Sequence, residues 1–241
     1  MPRRSVVIGL LVLGLISGGA CTAPRSTTVT PMPCDESGAP QVVYAGDSLV
    51  PQWSIRVHLP AEHGPVLVAK GGSGYTPIPT GDPLTTLSLG ERLLGFLDSC
   101  AGVVALVVVH AGANDLSGGQ PVGPVTEKIA ELDAQLGARG VRVAWVPITP
   151  WALSNAAGYD NRYVNRLALN DWLRSPGHVT GPVLECNDSL RVPGADPEVL
   201  DPRWWSYADA FSVDRYHPNL AGYDAYAACM EPQINALLHP A

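Results

Sequence analysis

Serine is a poor nucleophile at neutral pH unless a neighbouring base takes its proton, and imidazole is the side chain whose ordinary pKa suits that task. Two distant stretches of this 241-residue chain hold the parts for such chemistry. Gly46-Asp47-Ser48-Leu49 follows the apolar run Val42-Val43-Tyr44-Ala45, and Asp214-Arg215-Tyr216-His217-Pro218 comes shortly before the chain ends. Ser48 is the candidate nucleophile and His217 the candidate base. Asp214, three residues earlier in a turn, can reach the far ring nitrogen and orient the imidazole. Acyl transfer also develops an oxyanion, which needs preorganised donors. Gly74, within Gly71-Gly72-Ser73-Gly74-Tyr75, can present its N–H with no side chain in the way. Asn114, within Gly112-Ala113-Asn114-Asp115, can offer its amide NH₂, and the N–H of Ser48 is a third donor.

These residues must be positioned by regular elements. Strand-like runs, rich in Val and bounded by Gly, Pro or polar residues, occupy 41–45, 66–69, 103–109, 141–146 and 183–185. Helical patterns lie between and after them. In 86–98, Leu89, Leu93, Leu94 and Leu97 fall at helical spacing behind Thr85 or Thr86 as a cap; in 126–138, Ile129, Leu132 and Leu136 share a face, with Gly137 and Gly140 as the stop. A final helix over 219–238 aligns Tyr223, Tyr226, Ala227, Met230, Ile234 and Leu237 behind Asn219. Strands that are continuously apolar rather than alternating, and that alternate with helices, predict an α/β fold with a parallel sheet covered on both faces. Chemistry in such sheets sits beyond the carboxyl ends of the strands, which is where the Ser48, Gly74 and Asn114 loops fall. No internal repeat is visible.

Each piece also has a plainer reading. Ser48 alone could be a turn or N-cap serine, His217 a helix-entry residue, and Asn114-Asp115 an Asx turn. Asp47 and Asp115 fit a structural role in holding their loops better than an acid–base role. His110, ending the third strand, reads as a packing histidine. His58, His63, His178 and His239 show no zinc spacing, so neither metal nor cofactor is implied. Gly72-Ser73-Gly74 lacks the third glycine of a dinucleotide fingerprint, having Pro77 there, and Val50 stands where a G-x-S-x-G elbow needs glycine. Trp204-Trp205-Ser206-Tyr207 fits equally a wall of the site or packing under a long loop.

The four blocks, in this order, resemble the SGNH (GDSL-type) hydrolase superfamily. Gly46-Asp47-Ser48-Leu49 is similar to its first block, Ser73-Gly74 to its second, Gly112-Ala113-Asn114-Asp115 to its third and Asp214-Arg215-Tyr216-His217-Pro218 to its last, over about residues 42–230. The resemblance implies a flavodoxin-like three-layer α/β/α fold, with a parallel sheet of about five strands. It assigns Ser48 as nucleophile, His217 as general base and Asp214 as its partner, with an oxyanion hole from the N–H groups of Ser48 and Gly74 and the Asn114 side chain. Gly72 could donate in place of Gly74; Gly74 is favoured because it follows Ser73 as in the family. The activity expected is that of a serine esterase or deacylase working through an acyl-enzyme on Ser48. Two alternatives stand beside it: an O-acyltransferase onto an envelope glycan with the same residues, and a non-catalytic envelope binding protein.

Composition bounds the partners. The formal charge of −7 gives no basic patch for a phosphate backbone, so nucleic acid is excluded as the expected partner; a small-molecule or glycan ester is expected, and a monomer. Two Phe, three Met and no long apolar lid weigh against bulky lipid substrates. Arg3 and Arg4, the apolar run Val6–Ile16 and Ser17-Gly18-Gly19-Ala20 before Cys21 read as an export signal over 1–20. The apolar run is far shorter than the roughly 20 residues a bilayer span needs. Arg3-Arg4-Ser5-Val6-Val7 loosely resembles a twin-arginine signal. Small residues before cysteine resemble a bacterial lipobox, with Gly18 where that pattern has Leu, making Cys21 the candidate lipid anchor. Residues 21–40, rich in Thr, Ser and Pro, read as a tether to a hydrolase domain over 41–241. The expectation is an exported protein, either membrane-anchored on the outer face or secreted. Cys34, Cys100, Cys186 and Cys229 then form an even set in an oxidising compartment, and the preferred pairing of three is Cys34–Cys100 with Cys186–Cys229.

Overall fold

The unbroken apolar runs become strands, and those in the middle of the sheet are buried along most of their length. The computed structural model describes residues 38–78, 87–100, 103–152, 161–194, 198–207 and 213–239. β1 (Gln41–Gly46) is buried at every position, and β3 (Val104–His110) at its last five. With β2 (Gly64–Ala69) and β4 (Val143–Trp145) they form one parallel sheet in the order β2-β1-β3-β4. Gly46 pairs with Ala69 on one side and with His110 on the other. Three strands therefore finish level, and the loops behind them emerge at one edge.

Helices cover both faces of this sheet. The short α1 (Val50–Ser54) packs against α6 (Leu220–Leu238). α2 (Leu89–Ser99) packs against α4 (Val122–Ala138), and α4 against α5 (Asn161–Arg174). A five-residue α3 (Ala113–Ser117) follows β3. On the α1/α6 side the fully buried Trp53 lies edge-on to Tyr44 and Tyr226, with ring centroids 5.4 Å and 6.1 Å away. Burying three such rings removes a large apolar area from water and fixes the helix that begins two residues after Ser48.

Some expectations are corrected. Among the described residues the sheet has four strands rather than five. Residues 183–185 contribute only a bridge from Val183 to Trp145, although the Trp145 N–H donates to Pro182 O at 2.9 Å and the Leu184 N–H to Trp145 O at 2.8 Å. Proline cannot extend the ladder on its N–H side, and three residues beyond Leu184 the chain enters a 3₁₀ turn at Asn187–Ser189. The cap of α2 is Ser88, whose side chain accepts from the Glu91 N–H while Glu91 accepts from the Ser88 N–H, a reciprocal capping box. Thr85 and Thr86 lie outside the described residues, as do the leader, Cys21 and most of the tether.

Among the elements with no counterpart in the sequence reading are α5 and β5 (Trp205–Tyr207). α5 buries Tyr163, Arg166, Leu169, Asn170 and Leu173. That stripe has helical spacing, but two of its members are polar, which hides it from a hydrophobic period. β5 pairs antiparallel with β6 (Val213–Pro218), so the Trp-Trp segment is the partner of the strand carrying Asp214 and His217.

A disulfide joins Cys186 to Cys229, tying the 3₁₀ turn to α6. Cys100 is also disulfide-bonded, and the Cys34–Cys100 pairing falls on Cys34, outside the described residues. The Cys186–Cys229 bridge closes a separation of 43 residues. Loop-closure entropy then makes the bridge worth about 2–4 kcal/mol. Replacing both cysteines by Ala should lower the unfolding free energy from urea titration by that amount.

Candidate active site

The side chains of Ser48 and His217, 169 residues apart, meet at the edge where the strands end. Ser48 Oγ lies 2.7 Å from His217 Nε2, and His217 Nδ1 lies 2.8 Å from Asp214 Oδ2. An ionised carboxylate only accepts, so Nδ1 carries the proton and Nε2 is left to accept from the serine hydroxyl. Asp214 is itself fixed: its Oδ1 accepts the N–H groups of Tyr216 at 2.9 Å and His217 at 3.1 Å. The carboxylate thus folds the turn that holds the ring and points the ring at the serine. About a third of the His217 side chain and a quarter of the Asp214 side chain remain exposed, which leaves the relay open to an incoming molecule.

Ser48 is not a helix cap. The N-cap of α1 is Leu49, and the Ser48 hydroxyl is engaged by His217. What holds the serine loop is its neighbour. Asp47 is fully buried and its Oδ1 accepts the Leu49 N–H at 3.0 Å. Gly46 is required sterically, because a Cβ there would lie 2.0 Å from the carbonyl oxygen of His110. His110 is buried in the core, where its Nδ1 accepts from Trp53 Nε1 at 3.0 Å. Burial pushes its pKa down to about 3, so it stays neutral.

The second and third loops are locked to each other. Asn114 Nδ2 donates to Ser73 O at 2.9 Å, which uses one amide proton and leaves the other. Asp115 is buried and accepts three hydrogen bonds across the gap, from the Tyr75 N–H at 2.9 Å, the Thr76 N–H at 2.8 Å and the Thr76 hydroxyl at 2.6 Å. A Cβ on Gly74 would sit 2.2 Å from Asp115 Oδ2, so glycine is what allows this approach. The Ser73 hydroxyl donates to Lys70 O at 2.6 Å and accepts from Arg92 Nη2 at 2.7 Å, which makes it a loop brace and not a second nucleophile. Asp47 and Asp115 therefore both hold loops, the first locally and the second across forty residues of sequence.

The candidate base is braced from two sides. Ser206 and Trp205 of β5 pair with Asp214 and Pro218. The Asn219 N–H donates to Trp204 O, and its side chain donates to the carbonyls of Arg203 and Trp205. Trp205 Nε1 donates to Leu200 O, while the Trp204 side chain lies against Gly222 of α6. On the other side Arg215 O accepts the Ala152 N–H at 2.9 Å, and the Trp151 ring stands edge-on to Tyr216 at 4.9 Å.

A proton-accepting imidazole on a serine hydroxyl, oriented by a carboxylate and set beside glycine-rich loops, is the equipment of acyl transfer to a serine. A family model described as the GDSL-like Lipase/Acylhydrolase family matches residues 44–225, most of the chain. The chain belongs to that family. This GDSL-type protein is accordingly a hydrolase of carboxylic esters, with the SGNH hydrolase fold. No curated protein matches it. Solved structures resemble it at low identity. A GDSL-like lipase from Bacteroides thetaiotaomicron VPI-5482 is 19% identical with a TM-score of 0.58, covering 80% of this chain and 87% of that one. A carbohydrate acetylesterase family member from Sinorhizobium meliloti is 15% identical with a TM-score of 0.59, covering 83% and 99%. Such likeness carries the fold.

Two variants probe how this GDSL-type site is built. Gly74→Ala forces Asp115 off its three donors and should cost about 1–3 kcal/mol of stability, measured by urea unfolding. Asp47 is pushed up to about 7, first by burial, despite the Leu49 hydrogen bond that acts in the opposite sense. In the unfolded chain its pKa returns to about 3.9. A raised folded value means that the native state holds this proton longer, so the contribution is full below about pH 4 and is lost as pH rises through about 7. Asp47→Asn removes that loss, so the variant should gain on the wild type in urea midpoint between pH 4 and 8. His110 runs the other way but is common to both proteins and cancels.

Proposed function

We propose that this hydrolase is a serine esterase or deacylase working through an acyl-enzyme on Ser48. The observation that carries the reading is the relay Ser48–His217–Asp214, closed at 2.7 Å and 2.8 Å. Ser48 Oγ gives its proton to His217 Nε2 and attacks the ester carbonyl. The oxyanion is received by the N–H groups of Ser48 and Gly74 and by the Asn114 amide proton that does not bind Ser73. His217 then returns the proton to the leaving alcohol, activates water, and the acyl group leaves as the free acid. Asp214 stabilises the imidazolium through both half-reactions and is not itself protonated.

The substrate proposed is a short-chain or carbohydrate-linked ester at the cell envelope. A carbohydrate acetylesterase among the structural neighbours supports the sugar-linked part. The envelope location is supported by the Arg3-Arg4 and Val6–Ile16 leader, by Cys21 as lipid anchor, and by the Cys186–Cys229 disulfide, which suits an oxidising compartment.

Ser48→Ala should reduce turnover of a short-chain aryl ester to background with an unchanged circular dichroism spectrum. Asn114→Ala, which removes one oxyanion donor, should lose on the order of 10²–10³ in kcat. Full activity in the Ser48 variant would contradict the reading.

A further inference from the structure

Behind the strand that carries Asp214 and His217 lies a buried charged cluster that the chemistry above does not use. Arg166 on α5 is fully buried. Its Nη1 donates to Glu198 Oε2 at 3.2 Å and to Ile148 O at 3.2 Å, and its Nη2 donates to Glu198 O at 2.8 Å. Glu198 is mostly buried and also accepts from Arg174 Nη2 at 3.0 Å and from Asn187 Nδ2 at 3.0 Å. Burial pushes the Glu198 carboxyl up, but the two guanidinium groups more than offset this and hold it below the usual range.

The hydrogen bonds of this cluster converge on one loop. Ile148 O accepts from Arg166, from Asn170 Nδ2 at 2.8 Å and from Asn187 Nδ2 at 3.1 Å, while the Ile148 N–H donates to Asn170 Oδ1 at 2.8 Å. Three residues on, Trp151 bridges to Val199 and its carbonyl accepts the Leu200 N–H at 3.1 Å. Glu198, beside Val199, is thus coupled to Trp151 through the backbone. Trp151 is the residue whose ring abuts Tyr216, and the next residue, Ala152, donates its N–H to Arg215 O. Arg215 and Tyr216 are the two residues between Asp214 and His217.

We infer that the Arg166–Glu198 pair positions the general base: it fixes the Ile148–Ala152 loop, which sets the backbone of Arg215 and Tyr216 and with it the aim of His217 at Ser48. This rests on the esterase reading above. Burying a charged pair is a weak source of stability, because desolvation offsets most of the attraction. Its use here is geometric, since a base displaced by about 1 Å costs on the order of 10²-fold in rate. Arg166 and Glu198 are positioning residues; neither touches the reacting atoms.

The test is steady-state hydrolysis of a short-chain aryl ester by the full protein and its variants. Glu198→Gln should lower kcat on the order of 10- to 100-fold with KM within about threefold, because the acyl and leaving-group contacts are untouched. Arg166→Lys, which keeps the charge but not the fork, should fall between wild type and Arg166→Met. Trp151→Leu removes the ring that relays the constraint, so its effect on kcat and that of Glu198→Gln should be non-additive in the double variant. Should Arg166→Met fail to fold, the Glu198→Gln and Trp151→Leu cycle still decides. Wild-type kcat in Glu198→Gln, equal changes in kcat and KM, or strict additivity in the cycle would overturn the inference. Ser48→Ala runs in parallel: activity there contradicts the esterase reading itself, whereas a silent Ser48→Ala beside a wild-type Glu198→Gln sinks the positioning role alone.

Discussion

Everything in this fold that bears on chemistry depends on how the Asp214 carboxylate is shared. One oxygen takes two N–H groups of the turn that follows it, and the other takes the imidazole N–H of the residue three places on. The candidate base and its orienter are therefore a local unit, built from four consecutive residues. That unit does nothing alone, because the serine it addresses lies at the other end of the domain. The parallel sheet solves this by ending β1, β2 and β3 level, so that Ser48 and the Gly74 and Asn114 loops leave from one edge. The last helix, clamped to α1 through Trp53 and Tyr226, brings β6 to meet them.

Holding loops rigid requires polar groups where water is scarce, and three of the buried or mostly buried carboxyls among the described residues show different solutions. Asp115 is buried but accepts three hydrogen bonds, which partly offset the desolvation that pushes its pKa up. Glu198 is held low by Arg166 and Arg174. Asp47 accepts the Leu49 N–H, but burial outweighs this and pushes it up to about 7. A carboxyl in that position, next to the serine, sits where an ionised group costs most, and it supplies the turn with a hydrogen-bond acceptor in either protonation state.

How much of this was legible in the sequence follows from the physics of each element. β1 and β3 are apolar at successive positions because both faces are covered, and such runs can be read directly. The Asp214–His217 unit is legible because its geometry is local: a carboxylate three residues before a histidine can reach it within one turn. The loop around Gly74 is readable as glycine-rich, but that Asp115 is what demands the glycine is a contact between residues 41 apart. α5 was not readable, since its buried face includes Arg166 and Asn170, whose burial is tolerable only because of Glu198 and the Ile148 backbone. The fifth strand was over-read: two apolar residues and a glutamate after a proline suffice for a bridge but not for a ladder. The role of the Trp-Trp segment as a strand paired to β6 was also hidden, because a strand of three residues is too short to show a period.

The central claim is that Ser48 is activated through His217 and that no other serine is. The most direct measurement is labelling of the intact protein with a fluorophosphonate, followed by peptide mass spectrometry to locate the adduct. A single phosphonyl group on Ser48, absent from His217→Ala under the same conditions, is the expected result. Labelling of another serine, or equal labelling of Ser48 without the imidazole, would contradict it.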